Sequence, residues 1–132
     1  MSVVTNILLT GRFGVDPVSG DYGSLVVNRL NEFLAQGGRK DRLVEVSYHA
    51  GGTKCMETNV WLGAFNYLDN QGFIKVYVEA YRELQKELSG DDLYTQLFIQ
   101  KDEQYQFFIV DPETGEIRWI NSEGLQGGRD RW

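Results

Sequence analysis

The alternation of apolar and polar positions divides this chain into two kinds of segment. Short runs rich in β-branched and aromatic residues are typical of strands, and they fall at 3–10, 43–48, 56–68, 94–100, 105–110 and 116–120. Two longer segments, 24–36 and 71–88, repeat apolar residues with the period of an α-helix. The pattern therefore predicts the element order β-α-β-β-α-β-β-β.

Each predicted helix carries one apolar stripe, which we expect to face a sheet. In the first helix the stripe is Val26, Val27, Leu30, Phe33 and Leu34. In the second helix it is Phe73, Tyr77, Ala80, Tyr81, Leu84 and Leu88. Glycines at 37 and 38 can adopt the left-handed conformation that ends a helix, so the first helix should end there.

The strand predicted at 56–68 has apolar residues on both faces, as strands covered on both sides do. We therefore expect a central strand whose second face is covered by the C-terminal hairpin or by a second subunit in a homodimer. Gly63 within it indicates a close backbone approach or a bulge beside Trp61. The predicted shared core is Leu30, Phe33, Val60, Leu62, Tyr77, Tyr81 and Leu84.

The element order resembles that of a split βαβ, or ferredoxin-like, sandwich of the α+β class with an extra C-terminal β-hairpin. We expect one α+β domain at 1–120 and a flexible polar tail at 121–132. We also expect the glycine-rich loop 11–23 and the turn 51–54 to lie at opposite ends of this sheet, which would keep them from sharing one site.

Composition restricts the compartment and the chemistry. The chain is 42% hydrophobic and 24% charged, ordinary values for a globular domain. One cysteine and one histidine can form neither an internal disulfide nor a zinc site of several such ligands, so we expect no metal and a cytoplasmic location. No apolar run is long enough for a membrane span. No phosphate-binding glycine motif occurs, and we expect no cofactor.

The net charge of −6 is unevenly distributed. Residues 1–78 carry seven acidic and seven basic side chains, whereas residues 79–132 carry twelve and six. An acidic field repels nucleic acid and favours a basic protein partner, although the same charge can serve solubility alone. The predicted partner surface consists of Glu79, Glu83, Glu87, Tyr94, Phe98, Asp102, Glu103 and Trp119.

The segment from His49 to Cys55 is the strongest candidate for ligand chemistry. Glycine N–H groups, a hydroxyl and an ammonium there could surround a phosphate or carboxylate. A glycine pair between two strands is equally what a structural hairpin turn requires. A His49–Cys55 nucleophile is disfavoured because a strand supplies no helix dipole to lower a thiol pKa. The candidate anion-binding residues are His49, Gly51, Gly52, Thr53, Lys54 and Arg12.

These features indicate a small acidic intracellular protein that binds a partner protein, as an inhibitor or an immunity-type protein does. The alternative is a small-ligand binding protein, for an anion or nucleotide, or a small enzyme, using the turn Gly51–Lys54. An enzyme is the less favoured class, and no residue is assigned a catalytic role, because no loop gathers an acid, a base and an oxyanion donor.

Overall fold

An antiparallel sheet with two α-helices on one of its faces makes up the structure, which is a computed structural model describing residues 3–12, 23–49, 58–87, 94–111 and 113–127. This confirms the α+β class. The elements are β1 (Val4–Arg12), α1 (Gly23–Gln36), β2 (Val44–Glu45), a 3-10 turn (Ser47–His49), β3 (Asn59–Asn66), α2 (Asn70–Glu87), β4 (Tyr94–Lys101), β5 (Gln104–Val110), β6 (Ile117–Asn121) and β7 (Gln126–Gly127).

The seven strands lie in the order β2-β3-β1-β4-β5-β6-β7, and each neighbouring pair is antiparallel. The first strand of the chain therefore lies inside the sheet, between β3 and β4. Leu8 of β1 is opposite Leu62 on one side and Phe98 on the other. Neither α1 nor α2, within the part of the chain that the structure describes, is long and apolar enough to cross a membrane.

The core lies between the helices and one face of the sheet. Because side chains alternate along a strand, every second residue of β1, β3, β4, β5 and β6 points to the helices. The strand side chains buried there include Ile7, Leu9, Trp61, Phe65, Leu97, Ile99, Phe108, Ile117 and Trp119. The helices contribute Val26, Leu30, Leu34, Phe73, Ile74, Tyr77, Tyr81 and Leu84.

One chain of hydrogen bonds joins α2 to the sheet inside this core. Thr95 Oγ1 donates to the carbonyl of Thr10 at 2.9 Å, so the Tyr77 hydroxyl, also 2.9 Å from Thr95 Oγ1, donates to it. Burial raises the pKa of Tyr77 strongly. The hydroxyl groups of Tyr77 and Thr95 therefore both have hydrogen-bond partners, which avoids the desolvation cost of an unpaired buried polar group.

Strand β2 is shorter than the pattern 43–48 predicts. Only Val44 and Glu45 are extended, and the chain then turns at Ser47–His49. Ser47 explains the change, because its Oγ accepts the Val60 N–H at 3.0 Å and donates to Glu45 at 3.0 Å. A serine side chain that binds nearby groups in this way competes with the strand ladder. The predicted start of β3 at Met56 lies outside the described residues.

The prediction that β3 is covered on both faces is wrong for the described residues, and so is the burial of Leu62. Trp61 and Phe65 face the helices, whereas Leu62 is 42% exposed on the other face. Val60 and Phe33 are only partly buried. Gly63 does mark a close approach, since a Cβ there would lie 2.6 Å from the Phe65 ring and 3.1 Å from Leu43.

The expectation that the loop after β1 and the turn before β3 lie at opposite ends of the sheet is also wrong. Gly11, near the end of β1, is directly opposite Asn59, the first residue of β3. Arg12 is likewise opposite Tyr94, which begins β4. Three connections therefore meet the sheet at the same end.

The C-terminal segment pairs with β6 as far as Gly127, the last residue that the structure describes. Ile120 is opposite Gln126, and Trp119 is opposite Gly127. A Cβ at Gly127 would collide with the Trp119 indole, so glycine lets β7 lie directly on that ring. The division at residue 120 into a domain and a flexible tail stays a prediction.

Candidate protein-docking face

The sheet face opposite the helices carries a straight row of apolar side chains, one from each of six strands. The register places Val44 opposite Leu62, and Leu62 opposite Leu8. Phe98, Phe107 and Ile120 continue the same line across β4, β5 and β6. We call this set the apolar row: Val44, Leu62, Leu8, Phe98, Phe107 and Ile120.

The row is accessible over most of its length. Val44 is 60% exposed, and Leu62, Ile120 and Leu8 are each about two-fifths exposed. Phe98 is less exposed than these residues because neighbouring rings shield it: it packs on Phe107 with centroids 6.2 Å apart and stacks on Tyr105 at 5.9 Å. Such aromatic pairs hold the rings in fixed orientations. The middle of the row is therefore a preformed aromatic surface.

The positions beside the apolar row are almost free of charge. On one side they are Val60, Thr10, Gln96 and Ile109, and on the other Ala64, Asn6, Gln100 and Tyr105. Among the side chains described on the strands of this face, only Arg118 is charged, and its Nε lies 2.8 Å from Asp111. Burial of this face would therefore leave few charges without a partner, while its hydroxyl and amide groups could hydrogen-bond to a docked protein.

Charges of opposite sign lie beside the two halves of the face, β2 to β1 and β4 to β7. The described residues from 94 to 127 carry six acidic and two basic side chains, with Asp102, Glu103 and Glu123 exposed in turns at one end. At the β2 edge, the connector from α1 contains Arg39, Lys40, Asp41 and Arg42. Both groups lie at the same end of the sheet. Arg39 shares a cavity lining with Tyr67 just after β3, and that end of β3 adjoins the start of β1, opposite Lys101.

The structure brings together only part of the predicted partner surface. Tyr94 and Phe98 lie on the open face, and Asp102 and Glu103 lie at its rim. Trp119 is instead buried on the helix-covered side at 4% exposure.

The glutamates of α2 are on the far side of the molecule from the open face. Glu79 and Glu83 are exposed there, and Glu83 binds Arg29 at 2.6 Å. Glu87 ends α2, and its side chain lies outside the described residues.

Sequence reasoning did not identify five members of the apolar row as surface residues: Val44, Leu62, Leu8, Phe107 and Ile120. The available signal was that β5 and β6 are apolar at successive positions, as in FFIV and WI. Such runs imply two apolar faces, and only one of them lies under the helices.

The predicted anion-binding residues fall mostly outside the described part of the chain, which excludes Gly51, Gly52, Thr53 and Lys54. His49 is exposed at the end of the 3-10 turn, where its N–H donates to Val46 O at 3.0 Å. Arg12 ends β1, with its side chain outside the description. Within the described ranges, no group of three His, Cys, Asp or Glu is placed to hold a metal ion.

Shallow clefts elsewhere are small. The groove between α1 and α2 has a volume of about 270 Å³ and is lined by Leu25, Arg29, Glu83 and Leu84 among others. A cleft of about 180 Å³ beside the start of α2 is lined largely by carboxamides, including Asn70, Gln104 and Asn121. Comparison with protein families, curated proteins and solved structures finds no match to this chain.

Proposed function

We propose that this chain is an acidic protein-binding domain that docks a basic partner protein on the open face of its sheet. In this function it would act by occupying the partner, as inhibitors and immunity-type proteins do. The observation that carries the proposal is the apolar row, which runs uninterrupted from Val44 to Ile120 on a face that the described residues leave uncovered.

The size of the face suits a protein rather than a small molecule. The face is six strands wide at about 4.8 Å per strand. Along each strand it extends over roughly six residues of about 3.3 Å, which gives an area on the order of 600 Å². A standard protein interface buries about 800 Å² on each partner. Contiguous exposed apolar residues, such as those of the apolar row within this face, commonly mark interaction sites.

Charge supports a basic partner. The acidic turns beside β4 to β7 lie at the rim of the face and not in its centre. Rim charges mainly accelerate association with a surface of opposite sign, while buried aromatic residues supply most of the binding energy. Asp102, Glu103 and Glu123 would take the first role, and Phe98 with Phe107 the second.

We also propose that the fold is a split βαβ (ferredoxin-like) sandwich with an enlarged sheet. The order β2-β3-β1-β4, with α1 after β1 and α2 after β3, supports this. Strands β5, β6 and β7 then form a C-terminal extension that nearly doubles the width of the open face.

The proposal is tested with the wild type and two variants, each used as bait in an extract of the source organism. Phe107→Glu places a charge in the apolar row, whereas Leu25→Glu places it at a 46% exposed site on α1. A partner captured by wild type and by Leu25→Glu should bind Phe107→Glu at least about tenfold more weakly in purified form, as loss of an aromatic anchor implies.

The purified partner should associate with the wild type more slowly as the salt concentration is raised. Circular dichroism would establish that both variants fold. Equal affinity of the partner for Phe107→Glu and wild type would reject the open face as the docking site.

One observation favours a second candidate, a binding site for a small anion. Because Gly11 is opposite Asn59, the connections that contain the predicted anion-binding residues leave the sheet side by side. If they act together, phosphate or a nucleotide should raise the melting temperature of wild type. Neither Lys54→Ala nor Arg12→Ala should show that rise. A screen of phosphates, nucleotides and carboxylates without any shift would remove this candidate.

A further inference from the structure

We infer that a second copy of this chain occupies the open face when no other partner is present, with the two sheets packed face to face about a two-fold axis parallel to the strands. This inference rests on the proposed docking function of that face. It names the resting occupant, and a heterologous basic partner would have to displace it.

The apolar row is complementary to itself under this symmetry. The axis passes between β1 and β4, at the middle of the six strands, and reverses the strand order. Leu8 then lies over Phe98 of the second copy, Leu62 over Phe107, and Val44 over Ile120. Each aliphatic side chain of one half meets an aromatic or aliphatic one of the other half, as an isologous interface requires.

The charges beside the two halves of the face select this axis. A two-fold parallel to the strands keeps the same end of both sheets together and exchanges their edges. The basic connector with Lys40 and Arg42 then lies over the β6–β7 turn of the second copy, which contains Glu123. A two-fold perpendicular to the strands would instead stack the acidic β4–β7 halves on each other, and like charges brought together oppose association.

The buried area is sufficient for a reversible dimer. Two faces of about 600 Å² each would bury on the order of 1,200 Å², the lower limit of standard interfaces. Two stacked sheets pack about 10 Å apart with strand directions within about 30°. The helix face of each copy remains outside such a sandwich.

The first experiment measures mass by sedimentation velocity from about 1 µM to about 100 µM, a range that detects micromolar affinity. Wild type and Leu25→Lys should both become dimers as concentration rises. Leu62→Lys, which puts a charge at an exposed position of the apolar row, should stay monomeric while its circular dichroism remains that of the wild type. A monomeric wild type, or a Leu62→Lys dimer as stable as that of the wild type, would overturn the inference.

The second experiment tests the axis by charge reversal. Lys40→Glu and Glu123→Lys should each raise the dimer dissociation constant about threefold or more, and the double variant should return towards wild type, since its charges again oppose each other. Glu79→Lys on α2 serves as the control and should leave the constant unchanged. A double variant that dimerises more weakly than both single variants would overturn the proposed symmetry.

The outcomes also separate the inference from the proposed function. A monomeric wild type whose open face still binds a basic protein, with loss in Phe107→Glu, refutes the second copy and leaves the docking function standing. A monomeric wild type whose partner ignores Phe107→Glu refutes both. Dimerisation sensitive to Leu62→Lys supports the inference whatever other partner is found.

Discussion

Leu9 and Leu62 are the same amino acid on adjacent strands, yet one is fully buried and the other is 42% exposed. Leu9 points to the helices and Leu62 to the open face. We predict that Leu9→Ala lowers the free energy of unfolding by about 2–5 kcal/mol, the usual cost of a cavity in a core. Leu62→Ala should cost less than Leu9→Ala at low protein concentration, because 42% of Leu62 stays exposed in the folded chain and a shortened side chain there leaves no closed cavity.

Urea titrations of the two variants would measure this difference. They should be run at several protein concentrations, since Leu62 also lies in the proposed dimer interface. A loss for Leu62→Ala equal to that for Leu9→Ala at every concentration would contradict the assignment of faces.

Two buried tyrosines, Tyr77 and Tyr81, should make the free energy of unfolding depend on pH. Burial raises the pKa of Tyr77, and burial with the charge of Glu116 raises the pKa of Tyr81 to about 12, from an ordinary value of 10.0. Below pH 10 both side chains are protonated in the folded and the unfolded state, and their contribution is fully present. Above it the unfolded chain loses protons that the folded one keeps, so the free energy of unfolding should fall as pH rises towards the folded pKa values.

Urea unfolding at a series of alkaline pH values would reveal this loss. Tyr77→Phe and Tyr81→Phe should each make the decline shallower, because one titrating group is removed. A decline of the same slope in wild type and both variants would show that these hydroxyls do not cause it.

The turn between β5 and β6 is hydrogen-bonded to α2 through the backbone carbonyl of Gly115. Gly115 O accepts hydrogen bonds from the Tyr81 hydroxyl at 3.0 Å and from Gln85 Nε2 at 2.7 Å. Gly115 has a positive φ of 73°, and a Cβ there would lie 3.0 Å from Gln85 Nε2. The helix and the β5–β6 turn are therefore joined at a site that favours glycine for two separate reasons, its positive φ and the nearby Gln85 amide.

Gly38 provides the matched control for this contact. Its φ is 79°, but nothing lies within 4 Å of a Cβ placed there. Gly38→Ala should cost only the left-handed backbone, about 1 kcal/mol. Gly115→Ala should cost more, because the added methyl also displaces the Gln85 amide. Equal losses in thermal or urea unfolding would show that the contact with Gln85 contributes nothing.

Helices were predictable from local pattern and strands less so. The predicted helices 24–36 and 71–88 differ by one residue from α1, and by one residue at each end from α2. Their signals are local: the apolar stripe, and Asp69, which accepts the Gly72 N–H at 3.0 Å at the start of α2. The extent of β2 depended on Ser47 meeting Val60, thirteen residues away, and no local pattern contains that contact.

The docking face illustrates the same limit for the molecule as a whole. Its apolar row comes from positions 8, 44, 62, 98, 107 and 120, and what unites them is strand register. The sequence pattern predicted two apolar faces only for the strand at 56–68, although the runs FFIV and WI carry the same signal in β5 and β6. Which face the helices cover follows only from the assembled fold, and this is why Leu62 was expected in the core and Trp119 on the surface.

The position of β1 between β3 and β4 has a consequence for synthesis of the chain. Residues 4–12 are synthesised before both of their neighbours in the sheet, which are residues 59–66 and 94–101. Both edges of β1 can be paired only after residue 101 has been synthesised. Contacts so distant in sequence slow folding, because the entropy of closing long loops is spent before any pairing compensates it. A nascent chain would therefore keep β1 without its β4 neighbour until residues 94–101 have been added.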